Sequence, residues 1–117
     1  MIFPLIDNIF STINKELFKK LLDVPFNFMT ATHISIYGEV HRVGFRAWAQ
    51  EQALKDNLIG WVRKAADGSI EVFLQGEEEG INNFLSLCWD GPKMAYVDDV
   101  LTQEANTDNL ASDFRVL

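Results

Sequence analysis

An α+β fold, with an antiparallel sheet and two helices on one of its faces in the order βαββαβ, is what this sequence of 117 residues predicts. Three observations carry that expectation. Ile34 and Ile36 alternate with Ser35 and Tyr37, the period of a half-buried strand, and Phe45, Ala49 and Ala53 then recur at helical spacing. Asp67-Gly68, flanked by apolar runs, is the strongest hairpin signal in the chain. Further on, Ile81, Phe84, Leu85 and Cys88 follow the i, i+3, i+4, i+7 rule of a second helix with one inner face.

In chain order, residues 1–28 read as an N-terminal extension, and residues 29–117 as one domain. Within the extension Ile6, Ile9, Ile13, Leu17 and Leu21 form a helical stripe, widened by Phe10, Phe18 and Leu22, with Asp7 as N-cap and Pro25 as its stop. So apolar a stripe needs a surface to cover it: the body of the domain, a second copy or a membrane surface. The helix lacks the strong basic face of a membrane-surface helix, so the body or a partner is preferred and self-association through residues 1–28 is an expectation. Met29 is a second candidate for the natural start.

The first strand is expected over about 33–38 and the first helix over 44–56. A second strand over 58–65 leads through Asp67-Gly68 to a third over 70–75, where Ile70, Val72 and Leu74 alternate with Glu71, Phe73 and Gln75. Glu77, Glu78 and Glu79 open the second helix, where negative charge suits the dipole, and Asp90-Gly91-Pro92 stops it. The fourth strand is expected over 94–101, with Val97 and Val100 out of phase in the manner of a bulge. After a polar stretch, Phe114-Arg115-Val116-Leu117 reads as a short edge strand. This order is that of the ferredoxin-like sandwich, a fold that by itself names no function.

With 48% hydrophobic and 23% charged residues the chain has enough apolar material for one core. The single cysteine, Cys88, makes no internal disulfide and reads as a core residue, so a cytoplasmic location is the expectation. No apolar run is long enough to span a bilayer, and the first residues lack the features of a signal peptide, so no membrane partner is expected. Acids and bases balance within residues 1–28, so the remainder carries the whole net charge of −7, which disfavours nucleic acid. That acidic remainder holds seven basic residues, and four of them, Arg42, Arg46, Arg63 and Lys64, fall in two short segments. A local basic site on an acidic body suits a small anion.

The first segment is Gly38-Glu39-Val40-His41-Arg42-Val43-Gly44-Phe45-Arg46, a turn from strand into helix. Such a turn presents unpaired backbone N–H groups and the positive end of the helix dipole, and Arg46 adds a planar fork that matches phosphate oxygens. The second is Gly60-Trp61-Val62-Arg63-Lys64-Ala65-Ala66-Asp67-Gly68-Ser69-Ile70, with Gly76 closing the next strand. Together they resemble the two signatures of the acylphosphatase family, roughly Gly-x-Val-Gln-Gly-Val-x-Phe-Arg and Gly-Trp-Val-x-Asn-x-x-x-Gly-x-Val. The resemblance runs from about residue 30 to residue 117 and includes Gly91-Pro92 followed by Ala95 and Val97.

The resemblance implies a hydrolase that cleaves the carboxyl–phosphate bond of small acyl phosphates without a cofactor. It makes Val40, His41, Arg42, Val43, Gly44 and Phe45 the phosphate-binding loop and Arg46 the residue that grips the phosphoryl group. Catalysis of that kind works by positioning and charge stabilisation. The two histidines, His33 and His41, have no ligand pattern around them, so no metal is expected.

Three positions depart from the family. His41 stands for the glutamine, Arg42 for a glycine and Lys64 for the asparagine that orients the attacking water. Arg42 is hard to absorb if the loop needs positive φ there, and it either adds a cation or alters the cradle. Lys64 matters most, because an amide donates and accepts at once whereas an ammonium only donates. The reading preferred is an acylphosphatase-type hydrolase with reduced activity, with Lys64 in the place of a catalytic residue. The alternative is a non-catalytic module that binds a small phosphorylated ligand, inorganic phosphate or a protein partner. Asn57 is the nearest amide in sequence that could replace the missing one.

Overall fold

The computed structural model describes residues 29–117. The helical stripe expected in residues 1–28, and self-association through it, lie outside the described residues. The elements are β1 (Met29–Glu39), α1 (Phe45–Lys55), β2 (Ile59–Lys64), β3 (Ile70–Glu77), α2 (Glu78–Cys88), β4 (Tyr96–Ala105) and β5 (Phe114–Val116). They form one five-stranded sheet in the order β4-β1-β3-β2-β5. The ferredoxin-like βαββαβ order is present, and its four strands pair antiparallel as expected. The edge strand β5 differs, joining β2 in parallel.

That pairing decides where the chain's loops meet. β1 and β2 both run antiparallel to β3 and so point the same way, and β5 runs with β2. The C-terminal ends of β1, β2 and β5 therefore lie at one end of the sheet. The loop after Glu39, the residue Lys64 and the residue Leu117 all gather there.

The core is built by the residues whose phase the sequence displays. Ile34, Ile36, Val62, Val72 and Leu74 project from one face of the sheet, and all are fully buried. Phe45, Ala49 and Ala53 of α1 and Ile81, Phe84 and Cys88 of α2 cover them. Each large apolar side chain so buried contributes about 1.5–3 kcal/mol. Burial pushes the Cys88 thiol up from 9.0 to about 12, which fits a core residue and not a nucleophile. The opposite face carries His33, Trp61 and Phe73, with Trp61 stacked near Phe73 and His33 edge-on to Trp61.

Three strands are longer than the sequence suggests. One is β3, which runs on to Glu77, the residue expected to open the second helix. β1 begins at Met29 and β4 runs on to Ala105, the added stretches pairing with each other from Ala31 opposite Ala105. The local reason is that β4 is an edge strand, mostly exposed, so polar residues there do not break the ladder. The expected bulge is present: Tyr37 faces Asp99 while Gly38 faces Val97, leaving Asp98 as the extra residue. Gly38 is required opposite it, since a Cβ there would lie 2.2 Å from the Tyr96 carbonyl oxygen.

Candidate active site

Gly44, at φ +74°, is the N-cap of α1, so the chain leaves β1, crosses residues 40–43 and enters the helix through a left-handed residue. No side chain caps that helix and no acidic residue lies in its first turn. Its free N–H groups and positive dipole end are thus left for a ligand. The N–H groups of His41, Arg42 and Val43 likewise have no hydrogen-bond partner among the described residues. Unpaired amides beside a helix N-terminus are a common setting for anion binding.

A cleft of about 380 Å³ opens at this point. His41, Arg42, Arg46 and Lys64 supply its polar lining, and Val40, Phe45, Ile70 and Val116 its apolar one. Gly44 also lines it, whereas Val43, expected in the phosphate-binding loop, packs against the core and does not line the cleft. Among the described residues no carboxylate side chain lines the cleft, on a chain whose net charge is −7.

Arg46 is held from behind. Its Nη1 donates to the backbone oxygen of Leu117 at 3.1 Å, and one helical turn on, Gln50 Nε2 donates to the Phe114 carbonyl at 3.1 Å. Leu117 is in turn fixed by its N–H on the Val62 carbonyl at 2.9 Å. The clasp between α1 and β5 thereby sets Arg46 at the cleft. Nothing in the sequence announces this, because the partners are 71 residues apart.

Arg42 takes φ +57°, so the loop does require the left-handed conformation at this position and the arginine accepts it. For an L-residue that costs roughly 1–2 kcal/mol relative to the right-handed region. The His41 ring lies against the hairpin between β2 and β3, its Nε2 3.2 Å from where a Cβ on Gly68 would stand. That hairpin is itself rigid: Asp67 accepts from Ser69 Oγ at 2.6 Å and from the Ser69 N–H at 2.9 Å. The Ser69 side chain foremost, and then its N–H, hold the Asp67 carboxyl below its ordinary 3.8.

The two strand-end cations part company. Lys64 lines the cleft, whereas Arg63, one residue earlier, turns to the opposite sheet face, pairs with Glu71 at 2.9 Å and lies over Trp61. Asn57 does not supply a replacement amide. It precedes β2 while Lys64 ends it, a six-residue strand and so roughly 20 Å away. Among the described residues no cluster of three or more His, Cys, Asp or Glu could hold a metal, and no helix is long and apolar enough to cross a membrane.

Residues 32–116 match the family model described as Acylphosphatase. An acylphosphatase of Alcanivorax borkumensis is 43% identical over 81 residues, which is 69% of this chain and 88% of that protein. One of Rhodopseudomonas palustris is 41% identical over 69% of this chain and 82% of its own length. Among solved structures, an acylphosphatase from Coxiella burnetii superposes with a TM-score of 0.76 at 31% identity, covering 80% of this chain and 97% of its own.

Proposed function

The chain belongs to the acylphosphatase family and is an acylphosphatase-type hydrolase, and we propose that it cleaves the carboxyl–phosphate bond of small acyl phosphates in the cleft between the 40–44 loop and Lys64. One observation carries the assignment of the site: Arg46, the free amides of residues 41–43 and the uncapped first turn of α1 lie at a cleft that no carboxylate side chain among the described residues lines. These groups suit a phosphoryl group, whose charge grows on its equatorial oxygens during transfer. Water attacks phosphorus, the P–O bond to the acyl oxygen breaks, and the carboxylate departs with that electron pair. A carboxylate is a weak base, with a conjugate acid near pKa ~4, so the leaving group needs no proton donor. The water's proton goes to the phosphate product or to solvent.

Reduced activity is part of the proposal. Lys64 occupies the position of the family asparagine, and an ammonium binds water by its lone pair, turning that lone pair away from phosphorus. Loss of one oriented hydrogen-bonding group costs about 10²–10³ in rate. The same substitution favours the second reading, a module that binds a phosphorylated ligand without turning it over. A cytoplasmic setting also belongs to the proposal, supported by the free and buried Cys88.

The test is release of benzoate and phosphate from benzoyl phosphate by the full chain. Turnover that Arg46→Ala abolishes supports the hydrolase and its site. Turnover that survives Arg46→Ala at the full rate places the site elsewhere.

A further inference from the structure

We propose that Arg42 and Lys64 select acyl phosphates that carry a second anionic group, a carboxylate or a phosphate, on the acyl portion. This inference rests on the acyl-phosphate reading of the cleft and deepens it. The cleft carries a surplus of positive charge. An acyl phosphate brings about two negative charges on its phosphoryl group, and Arg46, the loop amides and the α1 N-terminus already meet them. Arg42 and Lys64 add two more full charges to the same cleft.

Neither of these two side chains has a partner among the described residues, although the protein is rich in acids. Three other cations are paired, Lys55 with Glu51, Arg63 with Glu71 and Arg115 with Asp113. Among the described residues, these two unpaired cations line one cleft. Both are exposed, so solvent moderates their repulsion, and an anion bound between them relieves what remains. A ligand that brings only a phosphoryl group leaves at least one of them uncompensated.

Arg42 adds an independent observation. It holds a left-handed conformation that glycine would take without strain, and it lines the cleft. Strain held at a ligand site points from the outlier to a role for the side chain. The volume, about 380 Å³, leaves space beyond a phosphoryl group for a short acyl chain, along which Val40, Phe45 and Val116 supply apolar contact. Apolar lining accepts many acyl chains alike, so the discriminating contact is the charge at the far end.

The test uses calorimetric titration of the full chain with two non-hydrolysable phosphonates. The first, 2-oxopropylphosphonate, has the shape of acetyl phosphate, and the second, 4-oxo-5-phosphonopentanoate, has the same head with a carboxylate at the other end, as in succinyl phosphate. The unmodified chain is expected to bind the carboxylated ligand about fivefold or more tighter, a ratio that shrinks as salt is raised. In Arg42→Gly combined with Lys64→Asn the ratio falls towards one. Arg42→Lys combined with Lys64→Arg, which keeps both charges, retains the preference. A ratio near one in the unmodified chain, a ratio unmoved by removing both cations, or failure of both phosphonates to bind overturns the proposal.

Hydrolysis of acetyl phosphate and succinyl phosphate reads the enzyme separately. Discrimination between the phosphonates without turnover of either substrate upholds the selectivity and removes the hydrolase. Turnover of both substrates at equal kcat/KM, with no difference in phosphonate affinity, upholds the hydrolase and removes the selectivity.

Discussion

Arg46 Nη1 donates to the backbone oxygen of Leu117, whose N–H is bound to the Val62 carbonyl, two residues before Lys64. The guanidinium in the first turn of α1 is thus tied to the end of the sheet, beside the other motif. A fork fixed at one nitrogen keeps its remaining N–H groups aimed in one direction, which a flexible ammonium does not. Arg46→Lys, which preserves the charge, is therefore expected to lower kcat/KM for benzoyl phosphate by about 10²-fold. Unchanged kinetics in that variant would mean that charge alone is used.

Arg42→Gly is expected to move stability and ligand affinity in opposite directions. Removing the left-handed strain gains roughly 1–2 kcal/mol, and the greater freedom of glycine in the unfolded chain takes back about half of it or more. Urea unfolding should show a net gain of up to about 1 kcal/mol, while affinity for inorganic phosphate falls with the lost cation. A loss of stability would show that the Arg42 side chain supports the loop.

How much was legible in the sequence depended on whether the signal was local. The strand and helix phases of Ile34, Ile36, Phe45, Ala49, Ile81 and Phe84 lie within single elements, and all six residues are buried as their spacing implies. The bulge near Val97 was also visible as a break in that phase. The tail of β4 was not, because Thr102, Gln103 and Glu104 sit on an edge strand that needs no apolar alternation. The separation of Arg63 from Lys64 follows from the period of two along a strand, although adjacency within one motif makes them look like a pair. The clasp of Arg46 and Gln50 on β5 was invisible, since no local pattern carries a parallel pairing to the chain's last residues.

Gln75 anchors the connection between β4 and β5 at the end of the sheet away from the cleft. It is buried, donates to the Asp108 carbonyl at 3.3 Å and accepts from the Asp108 N–H. Gln75→Ala leaves that backbone pair without its partner and should cost about 1–3 kcal/mol. Amide exchange over residues 106–113 should rise, while benzoyl phosphate kinetics stay as they were. Protection unchanged in that segment would show that other contacts hold it.

Stability should decline at both ends of the pH scale for named reasons. Ser69 lowers the folded-state pKa of Asp67 below 3.8, so its contribution is present above the unfolded value and is lost as pH falls through the lowered one. Cys88 works in the opposite direction. Its thiol stays protonated in the fold up to about 12 while the unfolded thiol ionises near 9.0, so stability falls as pH rises between those values. Unfolding curves across pH should show a shallower acid limb in Asp67→Ala and a shallower alkaline limb in Cys88→Ala. Limbs parallel to those of the unmodified chain would assign the dependence to other groups.

The measurement closest to the central claim, that the phosphoryl cradle is intact while the water-orienting amide is missing, is hydrolysis of benzoyl phosphate by the unmodified chain and by Lys64→Asn, with Arg46→Ala as the blank. The account predicts slow turnover by the unmodified chain, none by Arg46→Ala, and a kcat raised by about 10²–10³ in Lys64→Asn. A kcat that falls in Lys64→Asn would contradict it, because Lys64 would then be doing the catalysis that the account denies it.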